Sequence, residues 1–220
     1  IRAGVVPIAV NTLLTQGDYE YMLTDSGARV AVVSGALLPL FTPLLGKVPT
    51  LERIIVAGGR GDDSLAALLT YASDDFTTVE TSSDAPCFWL YSSGSTGAPK
   101  GTVHVHASLI QTAELYARPI LGIEESDVVF SAAKLFFAYG LGNGLTFPMA
   151  VGATAVLMAE RPTPDAVFAR LRKHKPTIFY GVPTLYASML ASPDLPTREE
   201  IPLRRCASAG EALPEEIGKR

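Results

Sequence analysis

Short apolar runs of strand length recur along the whole chain, and stretches with helical spacing lie between them. This alternation limits the possible folds more than any other feature of the sequence. The runs are Val5–Val10, Val30–Val33, Arg53–Ala57, Cys87–Tyr91, Val103–Val105, Asp127–Phe130, Ala153–Leu157, Thr177–Tyr180 and Leu203–Ala207. Between them, Thr15 stands three residues before Asp18 in capping-box spacing, with Tyr19, Met22 and Leu23 on one helical face and Gly27 at the stop. Ser64–Ala72, Ala107–Leu115, Gly140–Val151, Pro164–Lys175 and Pro183–Leu190 read as further helices, Pro164 taking the first helical position after Thr163. Strands that alternate with helices in this way predict an α/β fold of mostly parallel sheets covered by helices. Val30–Val33, a continuous valine-rich run, is expected to be buried on both faces.

Composition narrows the function. The 220 residues are 48% hydrophobic and 18% charged, enough to bury a sizeable core. Eighteen Lys and Arg against 22 Asp and Glu leave a net charge of −4, without a basic run to track a phosphate backbone, so nucleic-acid binding has no electrostatic support. Every apolar stretch falls short of the roughly 20 residues that span a bilayer, and no membrane association is expected. The two cysteines, Cys87 and Cys206, have no Cys-x-x-Cys spacing and sit in strand patterns. They read as small core residues of a cytoplasmic protein.

The chemistry concentrates in Tyr91-Ser92-Ser93-Gly94-Ser95-Thr96-Gly97-Ala98-Pro99-Lys100-Gly101. Glycines let backbone N–H groups converge, hydroxyls add donors, and a lysine adds a point charge; together they make a cradle for phosphate oxygens. Its place directly after a buried strand suits a ligand at the carboxyl end of a sheet. The string is neither a Walker A loop nor a dinucleotide fingerprint, because Lys100 is followed by Gly101 and no Gly-x-Gly-x-x-Gly occurs. Ser/Gly loops are commonly plain surface connections; the full eleven-residue string is much more specific.

That string resembles the phosphate-binding signature of the adenylate-forming superfamily of acyl- and aryl-CoA synthetases, luciferases and adenylation domains. Three further segments resemble the same superfamily in order: Gly4–Asn11 with Leu13-Leu14-Thr15, Lys134–Leu141, and Ser208–Pro214. Phe137-Ala138-Tyr139 and Tyr180–Tyr186 are most similar to benzoate–CoA ligases. The resemblance implies that the chain is part of the large N-terminal adenylation domain. It also implies a two-step reaction using ATP, Mg²⁺ and coenzyme A, in which a carboxylate becomes an acyl-adenylate and then a thioester. Ser92, Ser93, Gly94, Ser95, Thr96, Gly97 and Lys100 would hold the phosphates, with Thr96 and Lys100 acting in catalysis, and Gly210, Glu211 and Ala212 would line adenine. Phe137, Ala138, Tyr139 and Gly140 would line the acid pocket, where a small Ala138 between two aromatic residues suits a flat ring such as benzoate or a hydroxybenzoate.

The histidines carry less. His104 and His106 alternate, but no third ligand accompanies them, and His106 is expected at the start of a helix. His174 lies in a basic last turn that suits the helix dipole. No metal ligand is assigned here, and a homodimer is left open. The chain opens on Ile1 and closes inside a nascent helix, so it reads as a fragment, expected to be inactive without the superfamily's C-terminal domain. A medium-chain acyl-CoA synthetase and a non-catalytic nucleotide-binding module are the alternative readings.

Overall fold

The structure, a computed structural model, describes residues 1–92 and 98–220. They divide into two compact units, residues 1–81 with 87–103, and residues 82–86 with 104–220.

The first unit holds strand β1 (Ile8–Ala9), helix α1 (Gln16–Ser26), β2 (Val30–Ser34), the short helix α2 (Leu38–Phe41), β3 (Arg53–Ala57), α3 (Leu65–Thr70), β4 (Pro86–Ser92) and β5 (Lys100–Val105). Helix α1 forms where its caps dictate. Thr15 Oγ1 accepts from the Asp18 N–H while Asp18 accepts from the Thr15 N–H (2.9 Å), and Gly27 ends the helix in the left-handed region at φ 64°. Strands β2 and β3 pair in parallel, Val30 opposite Arg53 through Ser34 opposite Ala57. Tyr19 and Leu23 of α1 pack with Ala31, Val33, Phe41 and Ile54 into the core of this unit.

The expectation that Val30–Val33 is buried on both faces is corrected here. Ala31 and Val33 are buried, but Val30 and Val32 are 48% and 61% exposed, so helices cover the sheet on one side only. A valine-rich run has the same composition in either setting, and packing alone decides between them. The apolar run Val5–Val10 contributes only Ile8 and Ala9 to a strand, which pair in parallel with Trp89 and Leu90 of β4. The sheet order is β1-β4-β5.

The second unit begins with α4 (His106–Thr112), with His106 at its first position as expected. The helix runs on through wider π-type turns over Ala113–Leu121, past the expected end at Leu115 and across Pro119, to Gly122 at φ 59°. It continues because Ala113, Ala117 and Leu121 are buried along one side. Then come β6 (Val128–Ser131), α5 (Ala138–Leu141), further π-type turns over Gly142–Thr146, α6 (Phe147–Val151), β7 (Thr154–Val156), α7 (Pro164–His174), β8 (Ile178–Gly181), α8 (Pro183–Ala191), β9 (Arg205–Ser208) and α9 (Glu215–Gly218). Strands β7-β6-β8-β9 form one parallel sheet in that order.

Side-chain alternation sends Phe130 and Phe179 to one face, against Val167, Phe168 and Leu171 of α7 and Leu185 and Met189 of α8. Val129, Ile178 and Tyr180 face the other way, against Ala113, Ala117, Leu121 and Phe147. The sheet is therefore a buried middle layer, and burying each of these large side chains contributes about 2 to 3 kcal/mol. Cys87 lies in the core at 1% exposure, but Cys206 is exposed, against expectation. It sits on β9, the last strand in the sheet order.

The amino ends of three strands meet in one polar cluster. Asp127, Thr177 and Arg204 each stand one residue before β6, β8 and β9. Asp127, 3% exposed, accepts from Arg204 Nε (2.8 Å), from Arg204 Nη2, from Thr177 Oγ1 (2.6 Å) and from the Glu124 N–H (2.8 Å). Burial pushes the Asp127 carboxyl up, but the bonds from Arg204, Thr177 and Glu124 outweigh it and hold it down at about 2. Because this lies below the ordinary aspartate value of about 3.9, the cluster stabilises the fold above pH 4. That contribution, about 2 kcal/mol, is lost as pH falls from 4 towards 2. Arg204→Ala should cost about 3 kcal/mol at pH 7, because it leaves a buried carboxylate without its cation. Asp127→Asn should flatten the acid limb of stability, and urea unfolding across pH 3 to 7 measures both effects.

Candidate functional site

Of the three groups of sequence-assigned residues, the described part of one lies in the first unit and the other two lie in the second, and each is built locally. In the first unit, Ser92 ends β4 and Lys100 opens β5. Ser93, Gly94, Ser95, Thr96 and Gly97 lie outside the described residues. The flanks of this segment are well anchored. Tyr91 Oη donates to Asp25 Oδ2 of α1 (2.7 Å), and Tyr21 Oη of α1 donates to the Pro99 carbonyl (2.9 Å). Burial first, and then the bond to Asp25, push the Tyr91 phenol well above its ordinary range, so it stays protonated and donates. Gly101 permits close approach, since a Cβ there would lie 2.9 Å from the Trp89 ring and 3.3 Å from Tyr91.

In the second unit, the remaining residues follow the carboxyl ends of parallel strands, where ligands of α/β sheets bind. After β6 the chain turns through Lys134–Phe137 into α5. Phe137 is 49% exposed, its ring 4.6 Å from that of Phe136, and Ala138 is exposed beside it. Lys134 Nζ donates to the carbonyls of Met158 (2.6 Å), Ala159 (2.9 Å) and Glu160 (2.6 Å). All three of its protons are thus engaged, and Lys134 is a staple for this turn instead of a free cation for a carboxylate. Gly140 is buried, and a Cβ there would stand 2.0 Å from the Lys134 carbonyl oxygen. Only glycine lets α5 start so close to the preceding turn.

Tyr139 turns towards the strands. Its Oη lies 2.8 Å from the Ala207 carbonyl and 3.2 Å from that of Gly181, and its ring meets Tyr180 edge-on at 6.3 Å. Tyr186 of α8 donates to the same Ala207 carbonyl (2.9 Å). Burial pushes the phenols of Tyr139 and Tyr186 far up, so both remain donors. Two tyrosines therefore fix the end of β9, from which Gly210 (φ 97°), Glu211 and Ala212 emerge exposed.

Sequence reasoning assigned no role to Lys134, Tyr186 or Ser208. The Ser208 Oγ is buried without a hydrogen-bond partner among the described residues. Its place in the Ser208–Pro214 segment was the available signal. The described residues contain no cluster of three or more His, Cys, Asp or Glu side chains able to hold a metal, and no helix long and apolar enough to cross a membrane.

The model of the AMP-binding enzyme family matches residues 1–220, and the chain belongs to that family. It is 76% identical over its full length to the benzoate–CoA ligase of Thauera aromatica, of which it covers 42%. A crystal structure of a benzoate CoA ligase from Burkholderia xenovorans LB400 superposes with a TM-score of 0.88 at 59% identity, over 99% of this chain and 43% of that one. An anthranilate CoA ligase in complex with anthranoyl-AMP superposes with a TM-score of 0.90 at 38% identity, again over 99% and 43%. The chain thus spans less than half the length of these relatives. The expected α/β class and the family resemblance are both borne out.

Gly140→Ala should destabilise the fold by about 3 kcal/mol, because the atom it strikes is backbone and cannot rotate away. Tyr139→Phe and Tyr186→Phe should each cost about 1 kcal/mol, and the double variant more than their sum, since only the double loss leaves the Ala207 carbonyl without a phenol. Denaturant unfolding of the four proteins decides the point.

Proposed function

We propose that the intact protein carrying this chain activates an aromatic carboxylic acid, benzoate or a hydroxybenzoate, with ATP and passes the acyl group to coenzyme A. The observation that carries the proposal is the intact phosphate-loop string, Ser92 to Lys100, in a chain 76% identical throughout to a benzoate–CoA ligase. In the first step a carboxylate oxygen attacks the α-phosphorus of ATP, and the bond to pyrophosphate breaks. The thiol of coenzyme A then attacks the acyl carbon, giving the thioester and releasing AMP.

Charge spreads over the leaving pyrophosphate in the first step, so preorganised donors there lower the barrier most. Ser92, Ser93, Gly94, Ser95, Thr96, Gly97 and Lys100 fill that role. Gly210, Glu211 and Ala212 line the adenine, and Phe137, Ala138, Tyr139 and Gly140 bound the acid. Supporting this assignment, the latter two groups both follow carboxyl ends of strands of one parallel sheet. No residue of this chain is assigned as a metal ligand, and Mg²⁺ would accompany the triphosphate. A homodimer and a cytoplasmic setting fit the same reading.

Carboxylate-dependent ATP–pyrophosphate exchange by the intact protein tests it. Exchange should be driven by benzoate over hexanoate and should fall about a hundredfold or more in Lys100→Ala. Exchange with hexanoate alone would keep the adenylate chemistry and overturn the aromatic pocket. No exchange with any acid would leave a non-catalytic nucleotide-binding module.

A further inference from the structure

Helix α1 contains none of the residues assigned to ATP, yet it holds the chain on both sides of the phosphate loop. On the entering side, Tyr91 donates to Asp25 Oδ2 (2.7 Å), its Oη also 3.3 Å from the Met22 carbonyl. On the leaving side, Tyr21 donates to the carbonyl of Pro99, the residue directly before Lys100 (2.9 Å). Tyr21 and Asp25 are four apart on α1 and therefore on one face of it. The two bonds join residues 78 and 66 positions apart, so neither is a by-product of local turn geometry.

The helix is suited to act as a rigid support. Its capping box and its left-handed Gly27 fix both ends, and Tyr19 and Leu23 root it in the core of the unit. On the far side of Tyr91, the backbone of Gly101 closes in, so the Tyr91 ring is held between α1 and β5. Proline 99 has no N–H and a fixed φ, which leaves its carbonyl as the handle by which that backbone can be gripped.

We propose that Tyr21 and Asp25 are positioning residues for the triphosphate: they fix the two described flanks of the loop, so that Ser92, next to Tyr91, and Lys100, next to Pro99, stand placed for the phosphates. The proposal rests on the reading of Ser92–Lys100 as the phosphate loop. A flank held in place needs no reordering when the nucleotide arrives, whereas a flank released from α1 must be ordered by the ligand. The loss should therefore appear in the use of ATP and leave the use of the carboxylate alone.

The test is ATP–pyrophosphate exchange by the intact protein and its Tyr21→Phe, Asp25→Ala, Asp25→Asn and Lys100→Ala variants, with ATP and benzoate varied separately. Tyr21→Phe and Asp25→Ala should each raise the KM for ATP about three- to tenfold, the worth of one net hydrogen bond, with the KM for benzoate unchanged and a melting temperature close to the parent's. Asp25→Asn, which keeps an acceptor for the Tyr91 hydroxyl, should restore most of the loss. An unchanged KM for ATP in both Tyr21→Phe and Asp25→Ala overturns the proposal, as do equal rises in both KM values with a lowered melting temperature, the mark of a merely structural role. Lys100→Ala separates the two levels. If it leaves ATP use intact, the phosphate-loop reading itself fails; if it abolishes exchange while the α1 variants behave like the parent, only the clamp is wrong.

Discussion

The parallel sheet of the second unit depends on how its strands are fastened at their amino ends. Asp127 sits where β6 begins and gathers Arg204 from the start of β9, Thr177 from the start of β8 and the Glu124 N–H. A buried carboxylate is costly unless its lone pairs are filled, and here four donors fill them. The backbone repeats the same joinery, with the Thr177 N–H on the Val128 carbonyl and the Arg204 N–H on the Thr177 carbonyl (2.8 Å each). With one end of the strands locked in register, the opposite, carboxyl ends are placed with it, and there the chain can leave the ladder and carry irregular segments towards a ligand.

Those segments are held by polar contacts to backbone carbonyls. Lys134 gathers three carbonyls of residues 158–160, and Tyr139 and Tyr186 share the carbonyl of Ala207. In the first unit, Tyr21 binds the carbonyl of Pro99. A side chain bound to a carbonyl fixes the path of the main chain without specifying the side chains presented there. Such a scaffold leaves an exposed position like Ala138 open to substitution while the loop keeps its course.

Local features were legible in the sequence because their causes are local. The capping box of Thr15 and Asp18, the stop at Gly27 and the start at Thr163 and Pro164 all stand where the spacing put them, since each involves residues within four positions. Long-range features were not legible. The Asp127–Arg204 pair spans 77 positions and the Tyr21–Pro99 bond 78, and neither residue type at those positions announces its partner. The π-type extension of α4 across Pro119 escaped for a related reason: a proline argues against a helix locally, while the buried side of Ala113, Ala117 and Leu121 favours it through packing.

By itself, the sequence determined the α/β class, most of the order of the elements and the family, because strand-length apolar runs, caps and an eleven-residue string similar to the family's signature are all written in consecutive residues. The tertiary structure decided which faces of those elements are covered. Val30–Val33 and Ile178–Tyr180 are both short apolar runs, yet the first is half exposed and the second lies wholly inside. Cys87 and Cys206 part in the same way, one in the core and one on the last strand of its sheet. The physical reason is that burial belongs to the neighbours that a residue acquires when the chain closes, and hydrophobic character alone does not name those neighbours.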